Sequence, residues 1–259
     1  MVDNQKDLLY MQNEARLEFI RKYDPCALRL VAEDRSAYYA VKRAMDFLIA
    51  LTLLVIFSPL MLLIALTILL YSPGPVFFIQ ERVGAKRQLR GKYSYWQKVT
   101  FPCYKFRTMR INADPSIHQA YIQALIENDQ KQMDALQGQS SSIRKLVRDP
   151  RITRPGKFLR KFSLDELPQF WNVLRGDMSL VGPRPAIPYE VELYENWYLQ
   201  RLEAQPGITG LQQVTARSSI DFDHQMRLDI QYIERQSLWL DIKLILKTPF
   251  VVFSAKGAH

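Results

Sequence analysis

The chain holds 259 residues, 48% of them apolar and 24% charged, with a formal net charge of +9 and an isoelectric point near 9.5. That length and apolar content support one sizeable core, and the charge calls for an anionic partner without choosing among nucleic acid, anionic lipid and phosphorylated substrate. The two cysteines, Cys26 and Cys103, stand in no metal or redox spacing, which excludes a cysteine-based cluster and suits a reducing compartment with both thiols free.

Residues 1–40 mix charges of both signs with a moderate helical period through Leu8, Leu9, Met11, Leu17, Phe19 and Ile20, and Pro25 ends the run. Asp3 and Asp7 at the start do not fit the basic head of a signal peptide. This extension reads either as an accessory helix for packing or homo-oligomer formation, or as a solvated tail. Residues 47–71 then pass without a charge, a run long enough at about 1.5 Å per residue to cross a hydrocarbon core of roughly 30 Å. Two features oppose a simple span. Ser58-Pro59 stands in its middle, where proline removes a helix hydrogen bond and the serine hydroxyl can cap the freed carbonyl. Basic residues flank both ends, Lys42 and Arg43 before and Arg82, Lys86 and Arg87 after, so both ends favour the same side of a membrane. A helix that breaks and re-enters satisfies both observations, and a kinked spanning helix is the alternative.

Ser72-Pro73-Gly74-Pro75 ends that segment and residues 76–79 read as a short strand. Over residues 82–110 lysines and arginines interleave with tyrosine, phenylalanine and tryptophan, a pattern shared by single-strand nucleic-acid binders and by chains lying in lipid headgroups. Its place directly after an apolar segment favours the headgroups, so no nucleic-acid partner is expected; Lys105 and Arg107 are the pair expected to face inward. Asp114-Pro115 through Gly138 carries the cap, first-turn proline and terminal glycine of one self-contained helix with a solvated face, and a polar loop follows at residues 139–142.

The most informative stretch is residues 160–185, RKFSLDELPQFWNVLRGDMSLVGPRP. Asp165 and Glu166 precede an apolar run at helical spacing, so they are expected on the first turn of a helix, where free N–H groups and the helix dipole attract anions. With Ser163 as the cap, Pro168 would cost a helix bond; with Asp165 as the cap it costs none, so Asp165 is the expected cap. Capping needs no catalysis, yet two carboxylates among Arg154, Lys157, Arg160 and Lys161 also suit metal binding or attack on phosphorus. Arg184 is held between Pro183 and Pro185, whose fixed φ limits the backbone and mounts the guanidinium rigidly for phosphate. Residues 206–210, PGITG, mark a tight loop. Asp221-Phe222-Asp223 reads as a metal-binding Asp-x-Asp pair or as the cap of the amphipathic helix carrying Met226, Ile230 and Ile233. Residues 238–253, with Trp239, Lys243 and Lys247 and an interruption at Pro249, read as an interfacial helix or a core one.

SLDELPQFWNVLRGDMSLVGPRP, together with KRAMDF, SPGPVFFIQERVG, YKFRTM, PGITG, RLDIQYI and SLWLDIKLILKT, closely resembles the signature of the monotopic phosphoglycosyl transferases, the bacterial sugar transferases that begin glycan assembly on a polyprenyl phosphate. The resemblance runs from Lys42 to Thr248. It implies an α+β, mostly helical monotopic membrane protein: a re-entrant helix-break-helix hairpin over residues 41–72 with its break at Ser58-Pro59, and a catalytic domain over residues 73–259 with a small β element, an insertion near residues 114–138 and C-terminal interfacial helices. By the same resemblance Asp165 is the nucleophile, Glu166 joins it in holding Mg²⁺, Arg160 holds the polyprenyl phosphate and Arg184, with Pro183 and Pro185, the nucleotide. Lys105, Arg107, Asp229 and Arg217 match further polar positions, although the sequence QVTAR places Ala216 where the family usually has a glycine before that arginine. The partners implied are a nucleotide diphosphate sugar, undecaprenyl phosphate and the inner leaflet of the bacterial cytoplasmic membrane, with the active site on the cytoplasmic face. Two readings of other classes stand beside this one: a non-enzymatic basic adaptor on the membrane surface, and an Asp-x-Asp glycosyltransferase.

Overall fold

A computed structural model describes residues 14, 16–18, 20–22, 24–30, 35–90, 93–111, 116–137, 151–215 and 220–253. The charge-free run lies in helix α1 (Ser36–Tyr71), 36 residues long with a mean hydropathy of 2.9 over its most apolar 18 residues, and among the described residues it alone is long and apolar enough to cross a membrane. Leu48, Val55, Ile56, Leu62, Leu63, Leu66 and Leu70 are each more than half exposed, so the protein itself does not cover this surface. An apolar surface of that extent belongs in an apolar medium.

α1 continues through Pro59. Proline lacks an N–H, so the carbonyl of Val55, four residues earlier, loses its helix partner; Ser58 Oγ donates to that carbonyl at 2.8 Å. Both ends of α1 are tied to one body. Arg43 donates to the carbonyls of Val173 and Leu174 at 2.5 and 2.7 Å, and the Asp46 carboxylate accepts from Ser179 Oγ and Leu180 N at 2.7 and 3.2 Å. At the far end Arg107 donates to the carbonyls of Ser72 and Pro73 at 2.6 and 2.8 Å, while Ile64 and Ile68 pack with Phe106 and Leu159. A straight helix would separate residues 43 and 72 by about 44 Å. Yet Asn172, beside Val173, accepts from Tyr104 N at 3.1 Å, and Tyr104 lies only about 10 Å along the chain from Arg107. The axis therefore cannot be straight, so the expected break is a bend within one continuous helix.

The β element is larger than expected. β2 (Phe77–Arg90) and β3 (Tyr93–Phe106) form one antiparallel hairpin, from Phe77 opposite Phe106 to Arg90 opposite Tyr93. The dense cations of residues 82–90 hid the strand, because they interrupt the apolar alternation while Val83 and Ala85 still face inward. β1 (Ala27–Leu30) joins the other edge of β3, and Leu17, Ile20 and Ala27 close over Tyr95. This part of the N-terminal extension is therefore packed on the sheet and not a solvated tail.

The insertion also departs from expectation. It forms two helices, α2 (Ser116–Ile126) and α3 (Gln130–Gln137), about a turn at Asn128 with φ of 55°. Tyr121, Ala124, Leu125 and Met133 bury against Tyr198, Phe222 and Met226, so one face is a second core where solvent was expected. Asp114, Pro115, Gly138 and the loop at residues 139–142 lie outside the described residues.

The rest of the chain follows as α4 (Arg154–Lys161), a 3-10 turn (Leu164–Glu166), α5 (Gln169–Arg175), β4 (Ser179–Val181), α6 (Pro188–Val191), a second 3-10 segment (Asn196–Leu202), β5 (Gly207–Thr209), α7 (Leu211–Thr215), α8 (Phe222–Glu234) and α9 (Leu238–Phe253). β4 and β5 pair in parallel at the centre of a core built from Phe101, Val173, Met178, Val181, Tyr232 and Leu244. A Cβ on Gly182 would stand 2.2 Å from the Gln205 carbonyl, which is why the β4 exit can meet the 206–210 loop so closely. α9 runs through Pro249 without interruption; Asp241 is buried against Lys42 at 3.0 Å, and Trp239, Ile242, Leu246 and Phe250 form an exposed face beside α1. The whole is a mostly helical α+β protein of the monotopic kind, with a bent apolar hairpin and an amphipathic C-terminal helix.

Candidate active site

The site is set by how α4 meets the end of β3. Thr153 caps α4, accepting from Gly156 N at 3.1 Å, and its own N–H donates to the Thr108 carbonyl at 2.9 Å. A Cβ on Gly156 would lie 2.2 Å from that carbonyl, so only glycine allows α4 this close. Near the end of α4 Arg160 Nε donates to Thr108 Oγ1 at 3.0 Å, which fixes the guanidinium beside the strand exit. The chain then reverses at Ser163, φ 54°, and enters the 3-10 turn that carries Asp165 and Glu166. α5 opens only at Gln169 with Pro168 at its cap, so the two carboxylates precede the helix and Asp165 is not its cap as expected. Pro168 still costs no helix bond, since it sits before the first one is made.

Asp165 is 7% exposed. Glu166 accepts from Lys105 Nζ at 2.7 Å, and Arg184 Nη1 stands 3.9 Å from the same Glu166 oxygen. Arg82, Lys105, Glu166, Gln169, Arg184 and Pro185 line a small cavity, three cations to one carboxylate, which leaves an excess of positive charge for an anion. Burial, and then the charge of Arg184, push the Arg82 guanidinium below its ordinary range. Burial likewise raises the Cys103 thiol against the pull of Lys105 and Arg82, so it stays protonated and is no rival nucleophile. A larger cavity of about 190 Å³ lies elsewhere, between the first arm of α1 and the hairpin, where Lys42 and Lys86 are already paired with Asp241 and Asp177.

Among the described residues no group of three or more acidic, histidine or cysteine side chains gathers to cage a metal. Mg²⁺ does not need such a cage, because it is commonly held by one or two carboxylates with substrate phosphates and water, and Asp165 with Glu166 offers that donor set.

The expected site residues therefore divide. Glu166, Lys105, Arg184 and Pro185 share the small cavity, Asp165 and Pro183 adjoin them in the chain, and Arg160 stands beside Thr108. Arg107 does not join them. The strand ends at Phe106, so the alternation that would keep Arg107 on the Lys105 side lapses, and its guanidinium instead neutralises carbonyls at the C-terminal end of α1. Asp229 is 2% exposed, outside the lining of the small cavity, and pairs with Arg201 at 2.7 Å. Asp221 caps α8 through His224 N at 2.8 Å, and Asp223 accepts from Tyr198 Oη, so Asp-x-Asp is spent on structure. Ser58 and Pro59 lie in the bend of α1, and Arg217 lies outside the described residues. From sequence Arg82 reads only as a charge flanking the apolar segment, and Arg201 is not singled out. For Arg201 a signal existed: a lone charge between Tyr198 and Leu202 on an otherwise apolar helical face.

The bacterial sugar transferase family matches residues 37–255. The undecaprenyl-phosphate galactose phosphotransferase of Salmonella typhimurium is 37% identical over 246 residues, which are 94% of this chain and 47% of that one. The exopolysaccharide production protein ExoY of Rhizobium meliloti is 36% identical over 218 residues, 84% of this chain and 88% of the relative. The UDP-glucose:undecaprenyl-phosphate glucose-1-phosphate transferase of Xanthomonas campestris is 39% identical over 241 residues, covering 90% and 43%. The chain thus spans about half the length, or less, of several relatives and most of ExoY.

Proposed function

The chain belongs to the bacterial sugar transferases, the family of polyprenyl-phosphate phosphoglycosyl transferases, and on that premise we propose that it transfers a sugar 1-phosphate from a nucleotide diphosphate sugar to a polyprenyl phosphate and so begins assembly of a polysaccharide. The observation that carries this reading is the buried Asp165 with its neighbour Glu166 beside a cavity lined by Arg82, Lys105 and Arg184. Two relatives are named for transfer to undecaprenyl phosphate, which supports the same acceptor class here.

In this mechanism the Asp165 carboxylate attacks the phosphorus next to the sugar. The bond from that phosphorus to the bridging oxygen breaks, nucleoside monophosphate leaves with the electron pair, and an acyl phosphate joins Asp165 to the sugar phosphate. A polyprenyl phosphate oxygen then attacks the same phosphorus and the carboxylate is released. Arg184 binds the nucleotide phosphate that leaves, Lys105 holds Glu166 in place, and Arg160, fixed on Thr108, receives the lipid phosphate. Asp165 and Glu166 would hold Mg²⁺, which would supply neutralisation of the diphosphate and of the charge that develops on it. Because α1 bends back into one leaflet, the catalytic half rests at headgroup level, on the face of the bacterial inner membrane that meets soluble nucleotide sugars.

The test is the released nucleotide and the adduct. Incubation with radiolabelled nucleotide sugars, undecaprenyl phosphate and Mg²⁺ should place label in the lipid phase and release nucleoside monophosphate; nucleoside diphosphate would indicate an ordinary glycosyltransferase, and no release an adaptor. Omitting the lipid should leave a sugar-phosphate adduct on Asp165 detectable by mass spectrometry, and Asp165→Asn should abolish both. An adduct on another residue, or an active Asp165→Asn enzyme, refutes the mechanism.

A further inference from the structure

Four successive carbonyls of the loop that carries Arg184 are each held by a donor from a distant part of the chain. Pro183 O accepts from Gly207 N at 2.8 Å, Arg184 O from Arg201 Nη2 at 2.9 Å, Pro185 O from Arg82 Nη1 at 3.0 Å, and Ala186 O from Val83 N at 2.8 Å. Two of the four donors are side chains, and both are arginines withdrawn from water: Arg82 is 8% exposed and Arg201 4%. Neutral backbone amides would satisfy these carbonyls at lower desolvation cost, so two buried guanidiniums at one turn require an explanation.

Each guanidinium is also anchored by a second partner. Arg201 donates to Asp229 through Nε at 3.0 Å and Nη2 at 2.7 Å, and to Tyr194 Oη; Burial alone would lower its pKa, but Tyr194, Asp229 and Glu190 outweigh that and keep it protonated. Arg82 donates through Nη2 to Gln80 Oε1 at 2.7 Å. A planar fork fixed at one end offers its other donors in one direction only. The Arg184 side chain, by contrast, is half exposed, so its own packing does little to aim it. Proline at 183 and 185 limits the backbone, and the two buried arginines set what remains.

We propose that Arg82 and the Arg201–Asp229 pair are positioning residues that act through Arg184: they hold its loop in the one arrangement that presents the guanidinium to the donor's phosphate, Arg82 from the cavity wall and the Arg201–Asp229 pair from outside the lining. This rests on the phosphoglycosyl transfer reading, and it gives Asp229 a role in that reaction that its burial permits. The class of ligand served is the nucleotide half of the donor; the lipid phosphate is not involved.

The experiment is a double-mutant cycle on the full chain in detergent or nanodiscs. Arg201→Lys keeps the charge beside Asp229 and loses the fork, so thermal unfolding should change little while the loop shifts. A misplacement of about 1 Å in a phosphate-binding group costs on the order of a hundredfold. Arg201→Lys should raise the KM for nucleotide sugar and slow nucleoside monophosphate release by about tenfold to a hundredfold, with discharge of a preformed adduct to lipid unchanged. In an Arg184→Ala background the same change should add less than about twofold, since residues that act through one another are not additive. Multiplying effects, or equal slowing of lipid discharge, overturn the proposal. If Arg201→Lys does not fold, Arg82→Lys is put through the same cycle; failure of both to fold would make them general core residues and overturn it too. Should the wild type transfer no sugar phosphate, the transfer reading falls, and the cycle is read instead on equilibrium binding of uridine 5′-monophosphate, where additivity overturns the proposal and its absence upholds it. A wild type that neither transfers nor binds refutes both.

Discussion

Replacing Ser58 and Pro59 by Ala and Leu tests what holds the apolar helix in its bend. The double change restores a helix bond to the Val55 carbonyl and removes a proline penalty of about 3 kcal/mol, so local helix energetics then favour a straight axis. Against that stand the ties at the two ends. Arg43 and Asp46 of α1 each make two hydrogen bonds to the body, and Arg107 of the body makes two to the carbonyls just after α1. At about 1.5 to 3 kcal/mol for each bond to a charged group, these sum to on the order of 10 kcal/mol. The ties win, so Ser58→Ala/Pro59→Leu should leave both ends of α1 on the same side. Adding Arg43→Ala and Arg107→Ala removes four of those bonds and should let the straightened helix cross. The assay uses single cysteines at Ser36 or Leu89, both exposed, in a chain whose Cys26 and Cys103 are replaced, labelled by a membrane-impermeant maleimide in intact cells and in inverted vesicles. Labelling of either site in intact cells of the Ser58→Ala/Pro59→Leu variant alone would refute the reasoning, because it would mean that the proline, and not the ties, sets the bend.

Lys42→Met leaves Asp241 charged and buried with no cation, and should destabilise the fold by about 3 to 5 kcal/mol, seen as a lowered unfolding midpoint; Lys42→Met with Asp241→Leu should recover most of the loss. Arg184→Ala should raise the donor KM by a factor corresponding to about 1.5 to 3 kcal/mol, whereas Arg160→Ala should let the adduct form and persist; equal loss of both half-reactions in Arg160→Ala would mean a shared phosphate site. Lys105→Met removes the ammonium that competes for Glu166, so half-maximal activity should need less Mg²⁺ while the maximal rate falls; an unchanged or higher Mg²⁺ requirement refutes that competition.

What could be read from the sequence was local. The adjacent carboxylates, the charge-free run, its central proline and the paired prolines about Arg184 each carry their meaning within a few residues. That was enough to place the bend and to nominate Asp165, Glu166 and Arg184 together. The long hairpin was not legible, since its apolar alternation is broken by cations that face other parts of the chain. Nor were the separate fates of Lys105 and Arg107. Their types and spacing are equivalent in the sequence, and only the end of β3 at Phe106 and the arrival of the α1 terminus send one to Glu166 and the other to the Ser72 carbonyl. Asp229 looked like a site residue for a similar reason, because a carboxylate on a helix does not show whether substrate or Arg201 lies opposite. Residue type and local spacing determined which chemistry this protein carries; which way each charged side chain points was decided by the tertiary structure, because burying a charge is costly unless a partner, at Lys42, Arg43 and Arg82 more than 100 residues away, arrives to meet it.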